Sequence, residues 1–426
     1  MKKILVGLSG GVDSAVSAYL LKKQGYDVTA GFMINYLAPE GEYCPTRDDI
    51  EEAKKVAKYL DIPFFTFDYR EDYAEKVLGY MYEGYKKGIT PNPDIMCNSE
   101  VKFKVFLDEA LAHGFDGIAM GHYARITTSK YSKYSPHHNT LPMGEGIDQL
   151  TVATSLPLGE TEGGLEFGET EGGQELRGTE GELFHLLKGV DANKDQSYFL
   201  AGLNQFQLSK ALFPIGEYEK SQVRQIAQEA GLPNANRKDS QGICFVGKVD
   251  LTTFLEKKID PKPGKILDTS GKVLGEHKGV FYYTIGQRKG LDLGGQKEPV
   301  FIVKKDIEKN EIIVGTTSDL ELYDDKLFVK EFHFLCPLPL KHGIKDNFSL
   351  FQRERPEGST LGVYPQGEGL SAKCKIRYRQ ADQDCTIYKE NDIYRVEFKD
   401  KQRAIASGQI CAVYIGDELV MSGVIN

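Results

Sequence analysis

Residues 4–14 have the sequence Ile-Leu-Val-Gly-Leu-Ser-Gly-Gly-Val-Asp-Ser, which is the most informative segment for the structure of the N-terminal part. An apolar run ends in a Ser-Gly-Gly turn and a helical pattern follows, which predicts a buried strand, a tight turn and a helix. Two adjacent glycines let backbone amides approach an anion, Ser9 and Ser14 add hydroxyl donors, and the helix N-terminus adds partial positive charge. We therefore predict a loop that holds pyrophosphate.

This loop differs from two common phosphate-binding motifs. No Gly-Lys-Ser/Thr follows, as a Walker loop requires, and the Gly-x-Gly-x-x-Gly of dinucleotide folds is missing. Asp13, at the start of the predicted helix, has two interpretations. It either caps the helix or holds the magnesium ion that accompanies ATP.

The first 125 residues alternate between short β-branched runs and amphipathic patterns, which is typical of a doubly wound parallel sheet. The predicted strands are 3–8, 27–34, 63–67 and 117–120, and the predicted helices are 13–24, 47–60 and 101–112. Later residues predict helices at 205–211 and 220–230, then short alternating strands with glycine turns. We predict an α/β fold with this sheet first, then a small mixed central domain and a C-terminal β-barrel.

The predicted domains are 1–205 for the ATP-binding part, 206–305 for the centre and 306–426 for the barrel. Two insertions interrupt them, at about 127–182 and 337–369. The first contains Gly-Glu-Thr-Glu-Gly-Gly at 159–164 and again at 168–173, too acidic and glycine-rich to bury apolar surface. We expect a disordered surface segment, with an acidic docking tail as the alternative.

Charge is unevenly distributed along the chain. The formal net charge is −9, and residues 144–182 hold ten acidic side chains against one basic one, so the remainder is formally neutral. Between residues 203 and 305 there are 17 Lys and Arg against 11 Asp and Glu. This local excess is compatible with RNA binding. No run is long and apolar enough for a membrane span or a secretory leader, so we expect no membrane association and a cytoplasmic protein.

Two of the seven cysteines lie in unusual surroundings. Cys97 is the second-last residue of the two-proline segment 90–98, just before a helix predicted to begin near Ser99, where a thiolate would be stabilised. Asp94 precedes it and is a candidate acid, base or base-contacting residue. Cys244 lies in a short apolar run flanked by glycines at 239–247. Taken alone, Cys97 could equally be a buried structural residue, and the position of Cys244 favours an inert core residue.

Several separated motifs together resemble the tRNA-specific 2-thiouridylases (MnmA family) of the ATP pyrophosphatase (PP-loop) superfamily, whose fold is adenine nucleotide alpha hydrolase-like. The matching segments are SGGVDS at 9–14, TPNPDIMCN at 90–98, GHYAR at 121–125, KDQSYFL at 194–200, DSQGICFVG at 239–247 and KCKIRYRQ at 373–380. The resemblance covers most of the chain.

The resemblance implies roles for individual residues. ATP, with Mg2+, would bind the residues around the loop: Gly7, Leu8, Ser9, Gly10, Gly11, Val12, Asp13, Ser14, Met33 and Gly121. The target uridine would meet Asn92, Pro93 and Asp94. Other tRNA contacts would come from His122, Lys194, Asp195, Gln196, Arg377, Tyr378 and Gln409.

The resemblance also implies a mechanism. ATP would adenylate O2 of the anticodon wobble uridine, and Cys244 would deliver sulfur as a persulfide received from a donor protein. Cys97 would either release the sulfur as sulfide or resolve the intermediate, leaving a Cys97–Cys244 disulfide. We expect the other five cysteines, Cys44, Cys336, Cys374, Cys385 and Cys411, to be structural.

Alternatives stay open from the sequence. Asp94, Cys97 and Cys244 could instead hold an iron–sulfur cluster. An amide-forming adenylating synthetase, a thiolation enzyme for another tRNA position and a non-catalytic RNA-binding module are competing interpretations.

Overall fold

A computed structural model describes residues 1–38, 44–132, 166–170, 173–177, 180–239, 251–335 and 369–426. Within these ranges, no helix combines the length and the apolar character that crossing a membrane requires.

The strands of the described residues are, in chain order, β1 (Lys3–Gly7), β2 (Asp27–Ile34), β3 (Phe64–Asp68), β4 (Gly117–Ala119), β5 (Ala124–Ser132), β6 (Glu166–Thr170), β7 (Gly173–Arg177), β8 (Glu180–Lys188), β9 (Ala211–Leu212), β10 (Gly264–Asp268), β11 (Val273–His277), β12 (Phe301–Asp306), β13 (Glu311–Gly315), β14 (Tyr323–Val329), β15 (His333–Phe334), β16 (Leu370–Lys375), β17 (Gln383–Glu390), β18 (Ile393–Arg403), β19 (Ile410–Ile415) and β20 (Glu418–Val424). The α-helices are α1 (Val12–Lys23), α2 (Pro45–Tyr59), α3 (Arg70–Tyr73), α4 (Tyr80–Lys86), α5 (Pro93–Met96), α6 (Phe106–Ala112), α7 (Gln205–Ser209), α8 (Lys220–Glu229) and α9 (Leu251–Glu256). Segments Ala74–Gly79 and Cys97–Val105 are π-helical, and Ser197–Leu200, Val280–Tyr282 and Leu320–Leu322 are 3-10 turns.

The N-terminal part is a parallel sheet in the order β3-β2-β1-β4-β9. Helices cover both faces, which is why Ile4, Leu5 and Val6 of the first strand are all apolar and buried instead of alternating with polar residues. Ile4 and Val6 pack with α1, α2 and α8 on one face, whereas Leu5 packs with the helices around Phe103 and Phe106 on the other. The predicted doubly wound sheet is confirmed. Strand β9 also belongs to this sheet, and α8 packs on it. Both elements follow residue 205, where we placed the end of the first domain.

The central part is a mixed sheet in the order β11-β10-β13-β12, preceded by α9. Its buried side chains, among them Ile266, Ile302 and Ile312, join the same apolar core as the second face of the parallel sheet. The central sheet is therefore packed directly on the N-terminal part.

The C-terminal strands form the largest sheet, in the order β14-β18-β17-β16-β19-β20-β8-β5. A bridge between Val329 and Ile425 joins the end of β14 to the residue after β20, which closes the barrel strands on themselves. The predicted insertion at 337–369 lies outside the described residues except for Gly369.

The predicted insertion at about 127–182 begins and ends in regular strands. The expectation of a disordered segment is therefore wrong at both of its ends. Residues 127–132 belong to β5 and residues 180–182 to β8, and these strands pair along their whole length from Ala124↔Lys188 to Ser132↔Glu180. Strands β6 and β7 pair within the same segment. Pairing of β8 with β20, between residues 187 and 418, supports these strands from a distant part of the chain. Residues 133–165 lie outside the described residues.

Candidate active site at the carboxyl edge of the parallel sheet

The predicted phosphate loop connects β1 to α1 at the carboxyl edge of the sheet. Ser14 Oγ accepts the Ser9 N–H at 3.1 Å, lies 3.2 Å from Ser9 Oγ, and donates to the Gly11 carbonyl at 3.1 Å. Gly10 has φ +78°, and a Cβ there would lie 2.6 Å from the Asp49 carbonyl oxygen. Only glycine fits this turn without strain.

The carbonyl of Gly10 is held by two distant side chains. Asn234 Nδ2 donates to it at 2.8 Å and Arg237 donates at 3.1 Å, while Arg237 also pairs with Asp49. Because a trans peptide points its C=O and N–H in opposite directions, these bonds fix the direction of the Gly11 N–H as well. Sequence reasoning missed Asn234 and Arg237 because no local pattern relates them to residue 10.

Met33 and Gly121, which the resemblance assigns to the same site, both lie beside the loop. A Cβ on Gly7 would lie 3.3 Å from Met33 Cε, and a Cβ on Gly121 would lie 2.8 Å from the Ser14 nitrogen. The structure therefore brings together the loop residues 7–14, Met33 and Gly121, although they come from three different segments.

Asp13 occupies neither of the roles considered from the sequence. The N-cap of α1 is Gly11, with no side-chain cap, and Asp13 lies one residue inside the helix. Lys220 Nζ lies 2.8 and 2.9 Å from its two carboxylate oxygens, and Tyr123 Oη donates to Oδ1 at 2.8 Å. Burial, followed by the charge of Asp13, raises the pKa of the Tyr123 phenol well above its usual value.

These contacts do not fit a magnesium ion held by Asp13. Both of its carboxylate oxygens are bonded to an ammonium group, and among the described residues no cluster of three or more His, Cys, Asp or Glu could hold a metal. Lys220, which the sequence analysis did not single out, is the cation that contacts both carboxylate oxygens of Asp13.

The helix that carries Cys97 begins earlier than predicted. Helix α5 begins at Pro93 and continues into the π-helical segment at Cys97, so the expected start near Ser99 is wrong. Asn92 Oδ1 accepts the Ile95 N–H at 3.3 Å, and proline suits the first helical position because its missing N–H would have no partner there. Cys97 is therefore inside a helix, and stabilisation of its thiolate by a helix N-terminus does not apply.

Cys97 is fully buried in the same apolar core as Met33 and Phe103. The next residue, Asn98, donates to the Phe199 carbonyl at 2.9 Å, and the Phe199 ring lies 4.2 Å from that of Tyr378. Asp94 is half-buried on α5. The predicted RNA-contacting residue Tyr378 thus packs on the residue that anchors the turn of Cys97.

Cys244 lies outside the described residues, but the residue that opens its segment is firmly held. Asp239 pairs with Lys220 at 2.8 Å, Lys194 at 3.0 Å and Arg224 at 2.7 Å. Burial alone would raise the pKa of Asp239, but the hydrogen bonds and charges of Lys220 and Lys194 outweigh it and hold the pKa well below its usual range. The segment that leads to Cys244 therefore starts beside the phosphate loop.

The three residues Lys194, Asp195 and Gln196, predicted to contact tRNA, all bond to the protein. Asp195 is buried, accepts the N–H groups of Gly189 and Ser197, and pairs with Lys375 at 3.0 Å. Gln196 exchanges hydrogen bonds with the backbone of Tyr123, at 2.8 and 3.0 Å. These contacts connect the phosphate-loop region to the barrel.

The other predicted tRNA contacts occupy varied positions. Arg377 donates to the Arg403 and Ala404 carbonyls, and burial lowers its pKa. His122 is buried between Phe103 and Phe213, with ring centroids 5.9 and 5.8 Å away, and burial lowers its pKa well below the usual value. Gln409 donates to the Thr90 carbonyl at 2.8 Å. In this conformation His122 does not reach a surface that RNA could contact.

Most of the remaining cysteines are buried, as expected of structural residues. The described ones are Cys44, Cys374, Cys385 and Cys411, whereas Cys336 lies outside the described residues.

A parallel sheet with a glycine-rich anion loop after its first strand, followed by a mixed domain and a barrel, defines a three-part nucleotide-binding protein of the HUP class. Three family models match the chain. They are described as the tRNA methyl transferase HUP domain, at residues 2–148 and 173–248, the tRNA methyl transferase PRC-barrel domain, at 252–316, and the aminomethyltransferase beta-barrel domain, at 325–425. The predicted order of a parallel-sheet domain, a small central domain and a terminal barrel is confirmed.

Curated relatives specify the family further. The tRNA-specific 2-thiouridylase MnmA of Pseudomonas syringae is 39% identical over 432 residues, covering 100% of this chain and 94% of the relative. That of Flavobacterium johnsoniae is 37% identical over 463 residues, covering both chains completely. That of Shouchella clausii is 38% identical over 427 residues, covering 100% and 96%. The chain belongs to the tRNA-specific 2-thiouridylase family, whose members are sulfur-transferring enzymes.

Proposed function

We propose that the protein is an ATP-dependent tRNA 2-thiouridylase that acts on the wobble uridine of the anticodon. It adenylates O2 of the uracil ring and replaces that oxygen with sulfur, which yields 2-thiouridine, AMP and pyrophosphate. The observation that carries the proposal is that the phosphate loop lies at the carboxyl edge of the sheet and that the Cys97 helix packs beside two segments that reach this edge, in a chain of this family.

Two contacts support this placement. A Cβ on Gly31, in the strand that leads to Met33, would lie 2.8 Å from the Phe106 ring, in the helix that continues from Cys97. Phe103 lies against His122, which directly follows Gly121. The Cys97 helix is therefore packed beside two of the segments proposed to bind ATP.

Adenylation solves the leaving-group problem of the reaction. A uracil carbonyl oxygen does not leave readily, so O2 attacks the α-phosphorus of ATP and the bond to pyrophosphate breaks. Residues 7–14 hold the phosphate chain through backbone amides and the helix N-terminus. Asn92, Pro93 and Asp94 receive the unstacked uridine, which a single-stranded anticodon position releases at low cost.

Sulfur then replaces the activated oxygen. The terminal sulfur of a Cys244 persulfide attacks C2, the C2–O2 bond breaks and AMP leaves. The Cys97 thiolate attacks Cys244 Sγ, which frees the thiolated base and forms a Cys97–Cys244 disulfide. Alternatively, Cys97 attacks Cys244 Sγ of the persulfide first, which forms the same disulfide and releases sulfide. The sulfide then attacks C2, the C2–O2 bond breaks and AMP leaves. Either route needs a persulfide-donor protein to load Cys244 and an external thiol to reduce the disulfide.

The test is tRNA-dependent AMP formation combined with mass analysis of the product nucleoside. We expect AMP release and exchange of one oxygen for sulfur at the wobble uridine. Cys97→Ser and Cys244→Ser should each abolish thiolation while tRNA affinity stays within about twofold. Cys385→Ala, a buried barrel thiol, is the matched control and should keep activity.

The outcomes separate the competing functions. Methyl addition would support the activity named in the matched domain descriptions, and amide formation would support a different adenylating synthetase. tRNA binding without AMP release would leave an RNA-binding module. Thiolation that requires a reconstituted iron–sulfur cluster, and proceeds without a persulfide on Cys244, would replace the persulfide route.

A further inference from the structure

We propose that Lys220 is a phosphate-binding residue of this reaction: its ammonium group neutralises Asp13 and contacts the phosphate chain of ATP. The inference deepens the proposed function and rests on it, because it assigns a role within the same ATP site.

The geometry places Lys220 at the phosphate loop although it is far away in sequence. Its Nζ contacts both Asp13 oxygens at 2.8 and 2.9 Å and Asp239 Oδ1 at 2.8 Å. The side chain is only 14% exposed, and Nζ lies 5.8 Å from the centre of the Tyr123 ring. The ammonium is thus held in place on several sides.

Asp13 creates an electrostatic problem that Lys220 solves. A carboxylate in the first turn of α1 lies beside the helix N-terminus, where the phosphates of ATP are expected to bind. The Asp13 carboxylate and a phosphate group held close together in a partly buried site repel each other strongly. A cation fixed on the Asp13 carboxylate offsets this repulsion and adds an attraction for the phosphates.

The hydrogen-bond arrangement leaves Lys220 able to reach a ligand. An ammonium group has three donors, of which two face Asp13 and one faces Asp239. Asp239 keeps Lys194 and Arg224 as partners when Lys220 turns away from it. The third donor can therefore move to a phosphate oxygen without leaving a carboxylate unpaired.

The experiment measures binding of ATP and of adenosine to Lys220→Met by calorimetry. We expect ATP to bind at least about 30-fold more weakly, since a charge-assisted contact and the neutralisation of Asp13 are both lost. Adenosine, which has no phosphate, should bind within about twofold of the wild type. Lys220→Arg should retain most of the ATP affinity. Lys23→Met, at the other end of α1 and near the Tyr19 ring, is the matched control and should bind ATP normally.

A second variant separates the role of Lys220 from a structural one. Adding Asp13→Asn to Lys220→Met should restore part of the lost ATP affinity, because the repelling carboxylate is gone. Unchanged ATP affinity in Lys220→Met, or an equal loss of affinity for ATP and adenosine, would overturn the inference. If Lys220→Met fails to fold, the same two binding measurements on Lys220→Gln test it. A wild-type protein that binds ATP but releases no AMP with tRNA would instead refute the proposed function.

Discussion

Gln409 donates a hydrogen bond from Nε2 to the carbonyl of Thr90 at 2.8 Å, which joins the C-terminal barrel to the segment that leads to Asp94 and Cys97. The Thr90 N–H also donates to the Ser407 carbonyl at 2.8 Å, and a Cβ on Gly408 would lie 3.0 Å from the Thr90 backbone. The barrel therefore positions this segment through both backbone and side-chain contacts.

Replacing Gln409 should slow catalysis more than it weakens RNA binding. In Gln409→Ala the lost bond is worth about 1 kcal/mol, so we expect roughly a fivefold lower single-turnover thiolation rate. tRNA affinity, measured by filter binding, should change less than about twofold. Gln225→Ala, which removes only an exposed contact to Glu229, is the control. An affinity loss equal to the rate loss would instead mean that Gln409 touches RNA directly.

The buried pair Lys375–Asp195 should contribute strongly to stability. Lys375→Met leaves an Asp195 side chain that is 3% exposed without its cation, and we expect a loss of about 3–5 kcal/mol in the free energy of unfolding. Lys373→Met, two residues away on β16, removes an exposed pair with Asp384 and should leave the urea midpoint unchanged. Equal midpoints for the two variants would show that the buried pair does not hold the barrel to the N-terminal part.

Substitutions of Asn92 test whether this residue acts as a helix cap or as a contact to the substrate base. Its Oδ1 caps α5, and Asp is an equally good N-cap, whereas Ala is not. We expect Asn92→Ala to lower the free energy of unfolding by about 1 kcal/mol and Asn92→Asp to leave it nearly unchanged. Urea unfolding of both variants checks this. If Asn92→Ala is as stable as the wild type, the cap contributes nothing and a role in substrate binding becomes the better explanation.

Local sequence predicted the parallel sheet well because its signals are local. Buried strand segments such as residues 4–7 are continuously apolar, and the helices between the strands bury apolar residues, so each element is visible in its own window. The phosphate loop was equally visible, since its glycines and serines all lie within residues 9–14.

The features that we did not predict from the sequence depend on contacts between residues far apart in the chain, or on local signals that conflict with each other. Lys220 lies 207 residues from Asp13, and no sequence pattern near either residue indicates that the two form an ion pair. Strands β5 and β8 flank an acidic, glycine-rich stretch and are stabilised by pairing that composition does not reveal. An Asn92–Pro93 pair is compatible with a helix start, but the two prolines of the segment, Pro91 and Pro93, led us to predict a loop up to Asn98 instead.

Lys305 connects the central sheet to the segment before Thr90. Its Nζ donates to the Gly88 carbonyl at 2.6 Å and to the Tyr283 carbonyl at 2.8 Å. Burial lowers the pKa of Lys305 to about 8. An unfolded chain keeps this lysine protonated until pH approaches the ordinary value of about 10.4.

This difference predicts how stability depends on pH. Below pH 8 both states are protonated, but between about pH 8 and 10 the unfolded state holds more protons, so folding becomes more favourable as pH rises. From pH 7.5 to 9.5 we expect the wild type to gain roughly 1–2 kcal/mol relative to Lys305→Met, whose tyrosines titrate in the same way. Urea unfolding at matched ionic strength measures this. Parallel pH profiles for the two proteins would mean that Lys305 keeps an ordinary pKa despite its burial.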